Sequence, residues 1–191
     1  MVKPDEVLSF WLDECSPEDW YKQDDAFDQL IRDRFLTTWE EATEGALGLW
    51  LTYPAGAMAY IILTDQFPRN MFRGSPQAFA TDANALAAAK AVIDRKWDLR
   101  IAEPGRQFFY LPLMHSENLC DQERCVRLMH ERMPETGASN LLHAKAHREV
   151  IRLFGRFPYR NDALARPSTA PERAFVADGG YGETVRQLQA G

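Results

Sequence analysis

Residues 138–157 read Ala-Ser-Asn-Leu-Leu-His-Ala-Lys-Ala-His-Arg-Glu-Val-Ile-Arg-Leu-Phe-Gly-Arg-Phe, and the periodicity of this stretch decides the fold class. At about 100° per residue, Leu142, Ala146, Val150, Leu153 and Phe154 gather on one arc, the pattern of a helix with one buried face. His143 and His147 fall inside that arc at i,i+4 spacing. Lys145, Arg148, Arg152 and Arg156 fall on the opposite side, facing outward or toward an acidic partner segment.

The same spacing of three and four recurs on both sides of this stretch, and strict alternation of the strand type is almost absent, so the chain reads as all-α. Toward the N-terminus, an alanine-rich helix is expected from the Ser75-Pro76 cap to about Trp97, with Ala83, Ala87 and Ala91 allowing close helix packing. Pro54 opens an apolar helix through Met58, Ile61, Ile62 and Asp65. A long amphipathic helix is expected over 24–44, and a short one over 5–14 with Val7, Leu8, Trp11 and Leu12 on one face. Ser16-Pro17-Glu18-Asp19 predicts a further helix start between them. Beyond Pro104 and Pro112, helices are expected over 117–133 and 138–157, and Thr169-Ala170-Pro171-Glu172 is a capping box for a short last helix. No linker is long or low in complexity, so residues 1–191 are expected to form a single helical domain.

Composition sets bounds on function. With 46% hydrophobic and 26% charged residues, the chain has the usage of a soluble globular domain that can bury a substantial core. The net charge of −6 is uneven: residues 1–50 hold 13 acids against 4 bases, and the remainder is mildly basic. An acidic balance of this kind lacks the basic footprint of a nucleic-acid binder. The longest apolar run, 55–63, is about half a membrane span, and the acidic start lacks the form of a secretory leader. No membrane partner and a cytoplasmic location are therefore expected. Cys15, Cys120 and Cys125 form no CxxC pair and read as reduced packing thiols.

A motif repeats within the chain. Phe67-Pro68-Arg69-Asn70, then Arg73-Gly74-Ser75-Pro76 and Asp82, returns as Phe157-Pro158-Tyr159-Arg160-Asn161, then Arg166-Pro167-Ser168-Thr169 and Asp178. Each copy reads as an aromatic-proline helix stop, an Arg-Asn turn and a capped restart. The plain reading is a duplicated connector. The functional reading adds that two arginines per copy, beside fresh helix starts, suit a carboxylate or phosphate. Asp65, an acid expected in the last turn of its helix, calls for a cation such as Arg69 or Arg160. His143 and His147 have the spacing to chelate a metal if a carboxylate joins them, and His115-Ser116-Glu117 is the segment that would supply one. No HExxH accompanies them, so no metal or other cofactor is expected.

With Asp65-Gln66-Phe67-Pro68-Arg69-Asn70, Leu111-Pro112-Leu113-Met114-His115-Ser116-Glu117, and the run from His147 to Asn161, nearly the whole chain resembles the bacterial domain of unknown function family 924. The resemblance implies a small helical protein similar to tetratricopeptide repeats, antiparallel hairpins packed as a right-handed superhelical array. It implies no activity, substrate or cofactor. In that pattern histidine usually stands where this chain has Tyr159, which shifts weight to His147 and the arginines.

Three functions follow from these residues. The first is a binding module for a peptide or an anionic small molecule, lined by Asp65, Arg69, Asn70, Arg73, Arg156, Arg160, Asn161 and Arg166 beside an inward histidine. The second is a small hydrolase using His115 or His147 as base, with Glu117 or Asp65 orienting it. No nucleophile elbow, P-loop or dinucleotide fingerprint accompanies that set. The third is an assembly role, in which Phe10, Trp11, Trp20 and Tyr21 pack against another subunit of a homo-oligomer.

Overall fold

The computed structural model describes residues 2–190, whose regular elements are all helical, with no strand among them. The chain forms two compact units, the first ending at Ile101 and the second beginning at Ala102. That junction carries no low-complexity sequence, so the division leaves no trace in composition.

In the first unit, helix α1 (Pro4–Leu8) continues into a wider π turn, Ser9–Glu14, and buries Val7, Phe10 and Trp11. Ser16-Pro17-Glu18-Asp19 does not open a long helix. Ser16 bonds Asp19 through both its amide and hydroxyl, and the chain makes only a 3₁₀ turn, Asp19–Tyr21. Helix α2 (Asp25–Thr43) starts instead at Asp24, whose carboxylate accepts the Phe27 amide at 3.0 Å. It buries Ile31, Phe35, Thr38, Trp39 and Ala42. Phe10, Trp11, Phe35 and Phe67 meet in an aromatic core, with Phe35 and Phe67 centroids 4.7 Å apart. Trp20 is buried as well, its indole N–H donating to the Trp11 carbonyl, while Tyr21 is exposed. Three of the four aromatics expected at a subunit interface are thus spent on this unit's own core.

Helix α3 (Pro54–Ile61) does not stop at Phe67-Pro68. It passes through a π turn, Ile62–Gln66, into helix α4 (Phe67–Met71), so Arg69 and Asn70 lie in a helix and Asp65 lies inside a continuous helical run, not in a last turn. The reason is local. The Phe67 amide reaches back to Ile62, and Pro68 has no amide proton, which leaves the Thr64 carbonyl without its helical donor. The Thr81 hydroxyl supplies the missing bond at 2.6 Å and accepts the Trp39 indole N–H at 3.1 Å. Ser75 caps a 3₁₀ turn, Pro76–Phe79, and helix α5 begins only at Asp82 and ends at Asp94. It buries Ala85, Ala88 and Ala89. Ala83 and Ala87 are exposed and Ala91 is half-buried, so the predicted packing stripe faces outward along an apolar groove.

The second unit opens with a buried run, Phe108 to Leu111, and helix α6 (Leu111–Met114). Helix α7 (Leu119–Arg132), capped by Asn118, pairs with helix α8 (Ala138–Phe154). Gly155, at φ +69°, ends α8 before Arg156, which therefore leaves the predicted cation row. Arg148 and Arg152 meet Glu123 of α7. Leu153, expected inside, is 62% exposed, because the buried arc of α8 is centred on the histidines and Ile151. Helices α9 (Ala170–Ala177) and α10 (Gly180–Ala190) complete the unit, with α10 lying on α8.

Removing the Thr81 hydroxyl tests the role given to it. Thr81→Val leaves the buried Thr64 carbonyl unsatisfied and should cost about 1–3 kcal/mol, read as a lower urea midpoint. An unchanged midpoint would show that the proline is accommodated another way.

Candidate functional site

Sequence places histidines at 115, 143 and 147, and the second unit gathers them. The turn after α6 is set by Gln122 of α7, which is fully buried and donates its amide protons to the carbonyls of Met114 at 2.6 Å and Ser116 at 2.7 Å. This fixes His115 and Glu117 on either side of Ser116. Glu117 then reaches the far end of α8: its carboxylate accepts the Phe157 amide at 2.8 Å and both ends of the Arg166 guanidinium at 2.7 and 3.0 Å. Arg166 also donates to the Phe157 carbonyl. Burial raises the Glu117 carboxyl's pKa, but the Arg166 and Phe157 hydrogen bonds and the charges of Arg166 and Arg160 outweigh it, so the group lies below the usual carboxylate range.

The ring of Phe157, held in this way, is the floor of an aromatic cluster. His147 stands edge-on to it at 5.4 Å, Tyr159 stacks against it at 5.3 Å, and the Arg160 guanidinium lies 4.4 Å from its centroid. Tyr181 of α10 closes the circuit, 4.6 Å from His147 and 6.1 Å from Tyr159. His115 approaches His147 at 6.3 Å. Arg160 is buried, Tyr159 is 41% exposed, and the three histidines and Tyr181 each keep part of their surface accessible.

Protonation follows from the bonds. The Nδ1–H of His147 donates to the His143 carbonyl at 2.9 Å, because a carbonyl only accepts, and Nε2 is left with its lone pair. Burial pushes the pKa of His147 down to about 3. The bond to His143 opposes this, and the neighbouring His115, Arg160 and His143 reinforce it. Burial also lowers His143, whose Nδ1 lies 2.5 Å from the Tyr181 hydroxyl. We assign the phenol as donor there, with the ring proton of His143 on Nε2. The cluster thus presents two neutral imidazoles, those of His143 and His147, beside two phenols and one guanidinium.

The other predicted residues are spoken for locally. In the first unit, Arg69 bonds Asp82 with two nitrogens, at 2.9 and 3.0 Å, and pairs with the fully buried Asp65 at 3.3 Å. Asn70 and Arg73 both engage Asp28 of α2. In the second unit, Arg156 clasps Glu172, whose acidity this pair and the Thr169 capping bonds increase, and Asn161 bridges Ser168 and Arg166. Both oxygens of Glu117 are bound to Phe157 and Arg166, and His147 gives its Nδ1–H to a carbonyl, so the predicted acid–base pairing between these two is not formed. Asp65 sits in the first unit with Arg69 and Gln66. Among the described residues no group of three or more His, Cys, Asp or Glu is placed to hold a metal.

Two participants escaped sequence reasoning. Asp28 looked like one of many acids on α2. Tyr181 lies in a polar segment far from the histidines, and its only marks are the Gly179-Gly180 turn before it and the apolar spacing Tyr181, Val185, Leu188.

A family model described as bacterial protein of unknown function (DUF924) matches residues 7–180, and the chain belongs to that family. It is similar to a solved protein of unknown function from Agrobacterium tumefaciens, ATU0120: 37% identity, a TM-score of 0.85, and coverage of 92% of this chain and 97% of that one. No curated protein matches. No helix among the described residues is long and apolar enough to cross a membrane.

His147 makes stability depend on pH with a definite sign. In the unfolded chain the imidazole binds a proton near 6.5, and in the folded protein only near 3, so its contribution is complete above about 6.5 and fades as pH falls through that window. Urea midpoints taken from pH 7 to 4 should fall in the wild type, and His147→Gln should remove about one proton's worth of that slope. Identical slopes would place the imidazole in a more hydrated setting.

Proposed function

We propose that the protein binds a small anionic molecule at the imidazole–phenol cluster of its second unit. The observation that carries this reading is the locked neutral tautomer of His147: its Nε2 accepts but does not donate, and the Arg160 guanidinium lies against the neighbouring Phe157 ring. A ligand matching that pair carries an anionic group for the guanidinium and a hydrogen-bond donor for the imidazole. Arg69, Arg73, Arg156 and Arg166 hold carboxylates of their own units, and Arg160 is the cation set against Phe157 beside the imidazoles.

Binding is favoured over hydrolysis because a group titrating near 3 is a weak base at neutral pH, and Glu117 is committed to Phe157 and Arg166. The tetratricopeptide-like array of hairpins belongs to the same proposal as the scaffold for such a site. So does a cytoplasmic location, which the free thiols Cys15, Cys120 and Cys125 support.

Calorimetric titration of small carboxylates and phosphates at pH 7 tests this reading. Arg160→Met, which keeps the stem over Phe157, should weaken any ligand found by at least about tenfold, the scale of a lost charged hydrogen bond. Arg152→Met, on the exposed side of α8, should leave affinity unchanged. Equal affinity in wild type and Arg160→Met would remove Arg160 from the site and the proposal with it.

A further inference from the structure

Helix α5 of the first unit is apolar on two sides. Its inner side buries Ala85, Ala89 and Ile93. Its outer side carries Ala83, Ala87 and Ala91 at i, i+4 and i+8, where a surface helix ordinarily turns polar residues to water. Between this outer side, Leu51 in the turn before α3, and Ala57 and Tyr60 of α3 runs a groove of about 570 Å³, with the buried Ala88 and Val92 at its floor. That volume falls within the roughly 300–1,000 Å³ of small-molecule sites, which are mostly apolar with a few polar groups that fix orientation. The polar groups here sit toward the two ends of the α5 wall. Asn84 lies near one end, its amide 3.5 Å from the Tyr60 hydroxyl, and Arg95 lies at the other. No carboxylate lines the groove. Arg95 is its single charge, with the guanidinium 5.0 Å from the centroid of the Trp97 ring and, unlike Arg69 and Arg73 of the same unit, in no ion pair among the described residues.

We propose that this groove binds a straight-chain alkyl monocarboxylic acid, with the alkyl chain along the alanine side of α5 and the carboxylate on Arg95. The site lies wholly within the first unit and does not rest on the imidazole–phenol cluster of the second. Three features define the ligand class. The lining of α5 runs from Ala83 to Arg95, and the distance from Asn84 to Arg95 along the helix is about 16 Å at the α-helical rise, so the ligand is elongated. Alanine, valine and leucine walls offer no hydrogen bonds, so the body of the ligand is saturated hydrocarbon whose affinity comes from area removed from water. One guanidinium with no acid beside it in the lining complements a single negative charge at one end, and its planar fork fits a carboxylate with two hydrogen bonds. Contact with Trp97 restrains that guanidinium before the ligand arrives, which reduces the ordering cost of binding.

The test titrates the full chain at pH 7 with hexanoate, octanoate and decanoate, and with octan-1-ol as the uncharged counterpart. NMR of alanine methyl groups locates the ligand and gives its affinity. The methyls of Ala83, Ala87 and Ala91 should shift, and affinity should rise at least about twofold for each methylene added, toward the roughly fourfold of full burial. Arg95→Met keeps an apolar stem beside Trp97 and should weaken octanoate about fivefold or more while leaving octan-1-ol within about twofold. Arg100→Met, outside the groove, should change neither. Ala87→Glu puts a carboxylate at an exposed position of the alanine side, where the core is untouched, and should weaken decanoate at least about tenfold. Absence of shifts at Ala83, Ala87 and Ala91 would overturn the proposal. Shifts confined to Ala144 and Ala146 of α8 would also overturn it, and would move the carboxylate to the histidine cluster and leave that reading standing. Equal losses of octanoate and octan-1-ol in Arg95→Met, or affinity indifferent to chain length, would overturn the ligand class. If the same methyls move with protein concentration alone, the groove belongs to a second copy of the chain and the proposal falls.

Discussion

The second unit depends on the clasp that Glu117 and Arg166 close around the backbone of Phe157. Glu117 takes the Phe157 amide, Arg166 takes its carbonyl, and the two side chains bind each other through two parallel hydrogen bonds. A residue just past a helix end would ordinarily leave those backbone groups to water. Pinned instead, Phe157 keeps its ring fully buried as the surface against which His147, Tyr159 and Arg160 are set. The value of the pair therefore lies less in Coulomb energy, modest for charges that still reach solvent, than in the geometry it imposes on an aromatic floor. That view also explains why Glu117 is a poor candidate for acid–base work: loosening it to move a proton would release the residue that organises the cluster.

The helical class was legible because it depends on periodicity, and periodicity survives local irregularity. Helix ends were less legible. The aromatic-proline motif was read as one device used twice, and it has two outcomes. Around Phe67-Pro68, a π turn and the Thr81 hydroxyl together absorb the missing proton, so the helix runs on. Around Phe157-Pro158, Gly155 has already ended the helix. The first outcome hinges on a threonine many residues away in sequence, which no reading of the motif itself contains. The outward-facing alanines of α5 make a related point. Small residues permit close approach, but whether a neighbour uses that permission is a tertiary fact.

The arginines show where chemistry alone misleads. A guanidinium that suits a ligand's carboxylate suits a protein's carboxylate equally well, and Asp28, Asp82, Glu117 and Glu172 are all within reach inside their own units. The acid and base counts of the sequence suggested complementarity between the first fifty residues and the rest. Asp28 with Arg73 is such a pair, whereas Arg69 with Asp82, Arg156 with Glu172 and Arg166 with Glu117 join residues beyond the first fifty. The histidines escaped this ambiguity because their position on the helical wheel restricted them to the buried face of α8, whatever packed there.

What packed there determines the character of the site. An inward histidine can be a metal ligand, a proton carrier or a hydrogen-bonding core residue, and the wheel does not distinguish among these. The distinction comes from the atom opposite Nδ1. A carboxylate would raise the imidazole's basicity and point to proton transfer, whereas a main-chain carbonyl in a dry, ring-lined setting fixes one neutral tautomer. The carbonyl belongs to His143, one helical turn away, so the tautomer of His147 is set by α8 itself and does not depend on the neighbouring helices. The neighbouring segments supply the rest of the cluster: α10 contributes the phenol that bonds His143, and the turn after α8 contributes the cation. With the Nδ1–H of His147 given to the main chain and burial lowering both His143 and His147, this face of α8 keeps those two imidazoles neutral at neutral pH.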